Sequence, residues 1–519
     1  MSAPSLHSSD PEQEKAADVH REYGKNLNAT ALDAPGLTAE EQKKLLRRVD
    51  YKLVPFLSLL YLLSFLDRVN IGQARLDGLE ADLGLKGNQY QVALLVFFVG
   101  YVITEIPSNV LLKRIKPSRF IPGVMILWGI IMTLMGIVHN FAGLAAARFF
   151  LGLAESPLFP GFSWYRRDES QLRIFSSATL SGAFGGILAF GISKMGGVGG
   201  KPGWAWIFIL EGLATFVVGV WAIFMIQDFP EDAKFLNEHE RAFIVNRLKE
   251  DTGAAGGFRW VHIKGAFLDW RAYVCKFFAL IYIGVAEPLY SLSLFTPTII
   301  AELGTWTRPQ AQLLSVPPYA LAFIITLANA LLSDKFKQRG LVNIFWMTIV
   351  VIGFAIQLGI NPVEQPGVAY FAIFLCVCGV APCIANTITW CGNNSAPVLR
   401  RGTAMGMLFM TGNSGGIVSS VVYRTQDKPT YAIGHGVGLG FAAMAVVLSA
   451  FMTIYYRREN ARRDALYGKI DASLTSANGE TLANIMDNPE ALRRYGLEGM
   501  SEEELEALGD RSPLFRYYP

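Results

Sequence analysis

Two ionisable residues stand side by side in a stretch otherwise suited to lipid: Asp67 and Arg68, in "LVPFLSLLYLLSFLDRVNIGQARL" (53–76). A second set, Arg148 and Glu155, lies in "ARFFLGLAESPLFPG" (147–161). Asp67 is about 14 residues beyond Leu53, roughly 21 Å along a helix, and so past the middle of a bilayer. A charge at the centre of a spanning helix costs about 2.5–3.5 kcal/mol on insertion scales, so such residues face a cavity or a partner. Neighbours on a helix are about 100° apart, so Asp67 and Arg68 cannot pair with each other and each needs a separate partner. Arg148 and Glu155 are two turns apart and share one face. Pro157 and Pro160 follow and loosen the helix, which is tolerated where it lines a cavity. Arginine meets a carboxylate through two parallel hydrogen bonds. A carboxylate in a dry site takes up a proton readily unless a cation holds it ionised. An anionic solute and an arginine can therefore compete around one carboxylate, which links proton occupancy to solute occupancy. The bland alternative is charge pairing between helices with no ligand.

Further intramembrane polar groups are expected at Glu105 ("TEIPSN"), Glu211 ("ILEG") and Glu287 ("GVAEPLYS"). Glu105 and Glu287 are read as cavity or structural charges. Asn386, Trp390 and Asn413 are polar or amphipathic groups of the second half of the chain that can reach a solute or simply bond in the core.

The elements that position these groups follow from the distribution of apolar residues. The 519-residue chain is 52% hydrophobic and only 17% charged, against about 25% charged in soluble domains. The apolar excess falls in blocks of about 20 residues, the length that crosses a hydrocarbon layer. Twelve spans are expected, at 53–74, 89–112, 120–138, 143–164, 173–195, 204–226, 272–299, 312–333, 341–359, 367–390, 402–422 and 431–455. The fold class is all-α and polytopic, with twelve transmembrane helices in two six-helix bundles. A cytosolic disordered tail is expected over 1–50, the bundles over 51–226 and 272–456, a central cytosolic loop over 227–271 and a cytosolic tail over 457–519. The loop should carry a surface helix, since Asn237 and Glu240 stand at capping-box spacing ahead of Phe243, Ile244 and Leu248. A short helix is expected at "SEEELEAL", capped by Ser501 with Glu504.

The halves echo each other. "NVLLKRIKPSR" (109–119) aligns with "NALLSDKFKQR" (329–339), and "GAFGG" (182–186) with "GNSGG" (412–416). These pairs sit at the ends of spans 2 and 8 and within spans 5 and 11, as in a two-bundle transporter with its site between the bundles. Lys and Arg gather in the turns after spans 2, 4, 8 and 10 (Lys113, Arg114, Arg166, Arg167, Lys335, Lys337, Arg400, Arg401), which places both termini in the cytosol.

A net charge of +3 gives no electrostatic case for nucleic acid. Of five cysteines, four fall in one span, but Cys376 and Cys378 point about 200° apart, so no metal site is expected. No nucleophile–base pair stands in the loops, so neither catalysis nor a cofactor is expected.

The motifs "SFLDRVNIGQARLDGLEADLGL", "TEIPSNVLLKRIKPSRF", "ARFFLGLAES", "SGAFGGILA", "WAWIFILEG", "DFPEDAKFL", "PLYSLSLFTPTII" and "EALGDRSPLFRY" resemble the anion:cation symporter family of the major facilitator superfamily, and within it the fungal allantoate-permease-like branch. The resemblance runs from about residue 45 onward. It implies the major facilitator fold and proton-driven uptake of a small organic anion such as allantoate, nicotinate or pantothenate. It also implies substrate binding at Arg68 and Arg148, extended in this chain to Asn386 and Trp390, and proton coupling at Asp67 and Glu155. The expected partners are the anion, protons and the lipid bilayer, for a monomeric multi-pass protein of the plasma membrane. One departure stands out: "FPGFSWYRRDE" (159–169) is shorter than the family's pattern, so span 4 reaches ~30 Å from Leu144 to Trp164 with nothing to spare. A non-transporting nutrient sensor is the alternative this departure raises. A uniporter or exchanger is the alternative within transport.

Overall fold

The computed structural model describes residues 39–158, 168–226, 236–241, 243–244, 273–304, 306–336, 338–395, 398–468, 489–500, 505, 508, 510 and 512–519. Among these residues there are helices and turns and no strand, the arrangement in which every main-chain group in lipid is satisfied within its own segment. The long helices are α1 (Ala39–Leu76), α2 (Gln89–Arg114), α3 (Pro117–Met135), α4 (Phe141–Glu155), α5 (Asp168–Ser193), α6 (Gly203–Met225), α7 (Tyr273–Glu302), α8 (Val316–Phe336), α9 (Arg339–Gly359), α10 (Pro366–Asn393), α11 (Val398–Val422) and α12 (Ala432–Tyr467).

Among the described residues, nine helical segments are long and apolar enough to cross a membrane. They fall on α1, α3, α5 to α10 and α12. The helices of expected spans 2, 4 and 11 are present but do not meet that measure. In α2 the apolar run among the described residues is Gln89–Glu105, short of that length, α4 has only 15 residues, and α11 starts with Arg400 and Arg401 and is rich in Gly and Ser. The abrupt segment after span 4 (159–167) lies outside the described residues, as do Ser501 and Glu504.

The chain divides into two compact units. One compact unit comprises residues 1–52 with 227–256. In it, residues 39–50 are helical rather than disordered: Glu40 and Glu41 favour the first turn. Leu45 is buried with Leu236, and Val49, Phe243 and Ile244 pack against them. The Asn237 amide donates to Glu240 Oε2 at 3.1 Å, one half of the expected capping box, and Glu240 also pairs with Arg48. The second unit holds residues 53–226 and 257–519, and so both bundles and the C-terminal segment. There, α12 runs to Tyr467 and stops at Gly468, whose φ of 78° is the left-handed turn that ends a helix. The tail does not stay free: Leu505 and Leu514 are buried with Tyr495 and Leu497.

In the second unit, α3 packs on α6, α2 on α4, α7 on α11 and α12, and α9 on α10 and α12. The halves meet through α2 with α11 and through α5 with α8 and α10. Four of these five interface helices, α2, α5, α8 and α11, carry the repeated motifs. The repeat has a physical cause. A Cβ at Gly182 would lie 2.6 Å from the ring of Tyr319, and one at Gly416 2.1 Å from the ring of Phe98. Bare backbone is what lets helices approach where lipid supplies no hydrophobic drive between them.

Gly152 is the tightest approach of two backbones, because its Cβ would stand 2.1 Å from the Phe97 carbonyl oxygen. Gly152→Ala should therefore overpack α4 against α2 at a cost of about 1–3 kcal/mol. The purified variant should melt several degrees lower. Gly123→Ala, with nothing within 4 Å of its Cβ, should melt like the unmodified chain, and equal melting of both variants would contradict this packing.

Candidate functional site

Four-residue spacing on α1 separates two jobs. Tyr61, Phe65, Val69 and Gln73 present one stripe to a cleft between the halves. Ser64 and Arg68, offset by one position, reach α4 instead. Arg68 is buried, with Nη2 2.5 Å and Nε 3.1 Å from Glu155 Oε1. The Ser64 hydroxyl donates to the same oxygen at 2.6 Å. Glu155 Oε2 accepts nothing among the described residues. The guanidinium sits among aromatic faces, 4.8 Å from the Tyr101 ring centroid and 5.4 Å from that of Phe65, a setting that stabilises a desolvated cation.

Arg148 shows the expected shared face with Glu155, and both are buried on α4. Arg148 is 0% exposed, yet it makes no salt bridge among the described residues. Its Nη2 donates to the Arg68 carbonyl at a long 3.4 Å, while Nε and Nη1 have no partner among the described residues. The Phe97 ring lies 4.8 Å away. Of the two arginines only Arg68 is paired with Glu155, and Arg148 retains donors unused among the described residues.

From Arg68 a chain of bonds crosses between the halves. Nη1 donates to the Tyr290 hydroxyl at 3.0 Å, which donates to Asn413 Oδ1 at 2.7 Å. Asn413 Nδ2 lies 3.4 Å from both carboxylate oxygens of Glu105. Glu105 is therefore placed on the path between the bundles. Asp67 is turned the other way. It is fully buried inside the first bundle, where Oδ2 accepts from Trp128 Nε1 at 2.6 Å and from Thr215 Oγ1 at 2.8 Å. Glu211, one turn before Thr215 on α6, has two carboxylate oxygens without a hydrogen-bond partner among the described residues. The adjacency of Asp67 and Arg68 in sequence is thus a division between two compartments in space.

The remaining expected residues do not join this cluster. Glu287 accepts from Ser291 at 2.7 Å and packs against Gly415 of α11, inside the second bundle. Asn386 donates to the Arg339 carbonyl and to Asn343 Oδ1, both at 2.8 Å, and accepts from Ser333 at 2.9 Å. Trp390 is buried against Phe278 and donates to the Tyr518 carbonyl at 2.8 Å. None of the three lines the cleft. The cysteine thiols do not converge: Cys376 and Cys378 reach the carbonyls of Val350 and Pro318 on different helices.

The cleft itself is lined by aromatic and small residues, with Thr179, Gly182 and Gly185 on α5, Tyr282, Ala286 and Tyr290 on α7, Tyr319 on α8, and Val377, Ala381 and Ile384 on α10. No lining residue carries a charge, and Tyr290 stands between the cleft and Arg68. Sequence reading missed Tyr61, Tyr282, Tyr290 and Tyr319. The signal was available: Tyr61 and Phe65, like Tyr282, Ala286 and Tyr290, recur every four residues and so form one helical face.

Residues 57–420 match the pattern of the Major Facilitator Superfamily. The chain belongs to that superfamily. An uncharacterised transporter of Schizosaccharomyces pombe is 36% identical over 83% of this chain and 87% of its own length. A major facilitator-type transporter of Penicillium expansum, cnsO, is 34% identical over 92% and 90%. Among solved structures, a bacterial homologue of the human lysosomal transporter Spinster, in an inward-facing and occupied conformation, shares the fold at a TM-score of 0.57 and 14% identity, covering 78% of this chain and 96% of its own. The nucleoside transporter NupG shares it at a TM-score of 0.54 and 14% identity, covering 77% and 99%. This major facilitator protein is a multi-pass membrane transporter and not an enzyme.

If Tyr290 is the hinge pin of the polar link, Tyr290→Phe should keep the ring contact with Phe98 (5.0 Å between centroids) and lose both hydroxyl bonds. A double-mutant cycle with Asn413→Ala should show coupling of about 1 kcal/mol or more in unfolding free energy. Additive losses would mean that the two residues act independently.

Proposed function

We propose that this transporter carries a small organic anion into the cell together with protons, as a monomer of the plasma membrane with both termini in the cytosol. It would then stand in the allantoate-permease-like branch of the anion:cation symporters. The observation that supports this most is Arg148: a fully buried guanidinium with two donors unused, beside a carboxylate already held by Arg68. A buried cation without a partner costs several kcal/mol even after relaxation. An anion that reaches it removes that cost, and a carboxylate solute offers the bidentate geometry that a guanidinium matches.

The coupling follows from competition. Arg68 holds Glu155 through two bonds to one oxygen. When a solute carboxylate draws Arg68 or Arg148 toward the cleft, Glu155 loses part of its cationic neighbourhood, and a proton becomes the means of neutralising it. Proton and anion then bind together more readily than either does alone, which is a positive coupling free energy between two sites. Asp67, held by Trp128 and Thr215, is the second proton site on this reading. Small residues and tyrosine rings in the cleft suit the body of the solute, and the arginines suit its carboxylate.

The test is uptake of labelled allantoate, nicotinate and pantothenate by yeast lacking its own permeases for them. For the acid that enters, uptake should fall as external pH rises from about 5 to 7.5, because the protonated state of the coupling carboxylate is then less populated. The corresponding carboxamide should compete poorly. Arg148→Ala should reduce uptake about a hundredfold at normal surface delivery, in the range for truncating one partner of a buried charge pair. Glu155→Gln should retain exchange across equal concentrations and lose accumulation against a gradient. Accumulation by Glu155→Gln would remove Glu155 from the coupling step, and equal competition by acid and amide would remove the arginine clamp.

A further inference from the structure

The loop-side ends of α9, α10 and α12 hold a segment of the chain far from the cleft. Asn394 reads both main-chain groups of Tyr518, donating to its carbonyl at 3.0 Å and accepting from its amide at 2.8 Å. Asn460 does the same for Tyr517, at 2.7 and 2.9 Å. This is the way one strand reads its neighbour, and it asks only that the bound chain be extended. Trp390 adds a second donor to the Tyr518 carbonyl, and the Gly340 amide donates to the Pro519 carbonyl at 3.3 Å. Selectivity comes from one side chain. The Tyr517 ring stacks on Tyr456 with centroids 4.6 Å apart and planes 13° apart, and the Arg463 guanidinium lies 4.9 Å from the same ring. Arg463 also donates to the main-chain carbonyls of Asp510, Ser512 and Phe515.

We propose that this end of the second bundle is a peptide-binding site, filled by residues 512–519 of the same chain, whose occupancy fixes the end of the cleft-lining helix α10. Its recognition chemistry is an extended main chain with an aromatic residue at the position of Tyr517. Without the segment, the buried Trp390 and Arg463 and the two asparagines would lose main-chain partners, and a buried polar group left unsatisfied is destabilising. The consequence reaches the cleft through α10: Ile384 lines the cleft, and Trp390 lies less than two turns further along the same helix. Holding Trp390 and Asn394 against Tyr456 and Asn460 sets α10 relative to α12. These bonds join the segment to the ends of α9, α10 and α12, so it acts as a staple within that bundle and not as a plug in the cleft.

The experiment needs no transported solute, so it stands or falls separately from the anion reading. Hydrogen exchange is compared between the full chain and a chain lacking 512–519, both purified and monodisperse. A fluorescein-labelled peptide of residues 510–519 is then added. The shortened chain should exchange the amides of 390–395 about tenfold faster, bind the peptide saturably and regain protection, while the full chain should not bind it. A Tyr517→Phe peptide should bind within about threefold of the parent, and a Tyr517→Ala peptide about tenfold more weakly or worse, since a stacked pair contributes ~0.5–1.5 kcal/mol beyond its burial. Should the shortened chain aggregate, full-length Tyr517→Ala gives the same readout through faster exchange at 390–395. Unchanged protection in either chain, or no saturable binding to a monodisperse shortened chain, overturns the proposal.

Discussion

A guanidinium with no carboxylate of its own sets the terms for the centre of this transporter. Arg68 and Arg148 both lie near the Phe97 ring, at 5.7 and 4.8 Å from its centroid, and among the described residues Glu155 bonds to Arg68 and not to Arg148. The aromatic face offsets part of the cost of the second cation, by about 2 kcal/mol when desolvated. The long bond to the Arg68 carbonyl offsets a little more. What remains is a positive site in a dry place. The path from it crosses the interface to Tyr290 and Asn413 of the second half and returns to the carboxylate of Glu105 on α2. Arg68, Glu155, Tyr290, Asn413 and Glu105 are therefore one connected arrangement, shared between the two halves.

That arrangement would be of little use if the halves were welded together. Their contact is built from glycine against aromatic rings: Gly182 on Tyr319 and Gly416 on Phe98. Gly412 against Tyr282 and Gly415 against the main chain of Glu287 serve α7 and α11 in the same way within the second half. Such surfaces gain from dispersion at short range and lose that gain quickly with separation. A polar link of a few bonds can then decide which packing prevails, because packed interfaces are bistable and do not deform continuously. The repeat "GAFGG"/"GNSGG" marks this in the sequence, and its departure from symmetry is informative. Asn413 stands where the first half has Ala183, and it is Asn413 that carries the bond to Tyr290.

The fold was legible because lipid leaves few options: apolar blocks of helix length must be helices, and repeated motifs must occupy equivalent places. The first charged cluster was legible for the same reason, since Asp67, Arg68, Arg148 and Glu155 are expensive to insert. Direction was harder to read. The spacing of Asp67 and Arg68 says that they diverge, but only α3 and α6 reveal that Asp67 belongs to Trp128 and Thr215 and not to the cleft. Asn386 and Trp390 suggest a solute contact because polar groups in a span suggest function. Their partners, Arg339, Asn343 and Tyr518, are 43 or more positions away in sequence, and nothing local announces them. The charge of the tail suggests a soluble segment. Its aromatic end "FRYYP" (515–519) is charged only at Arg516, whose Nε meets Asp464 at 2.8 Å.

Adjacency on a rigid helix gives the dipeptide of α1 a mechanical meaning. Asp67 is fixed to α3 and α6 by two bonds to a charged acceptor, each of the class that contributes about 1.5–3 kcal/mol. Arg68 is fixed to α4 by Glu155 and to α7 by Tyr290. One residue cannot move without the other, because α1 is continuous through both. A turn of α1 that takes Arg68 toward the cleft swings Asp67 away from Trp128 and Thr215, and the two sets of bonds are of similar strength. On the proposed reading, an anion that draws Arg68 out of its pairing therefore works against the Asp67 bonds as well as the Glu155 bond. Neutralising Asp67 would weaken the first set just as neutralising Glu155 weakens the second. On the proposed reading, two carboxylates that face different helices would act on one helix, and the position of α1 would be what both protonation and anion binding control.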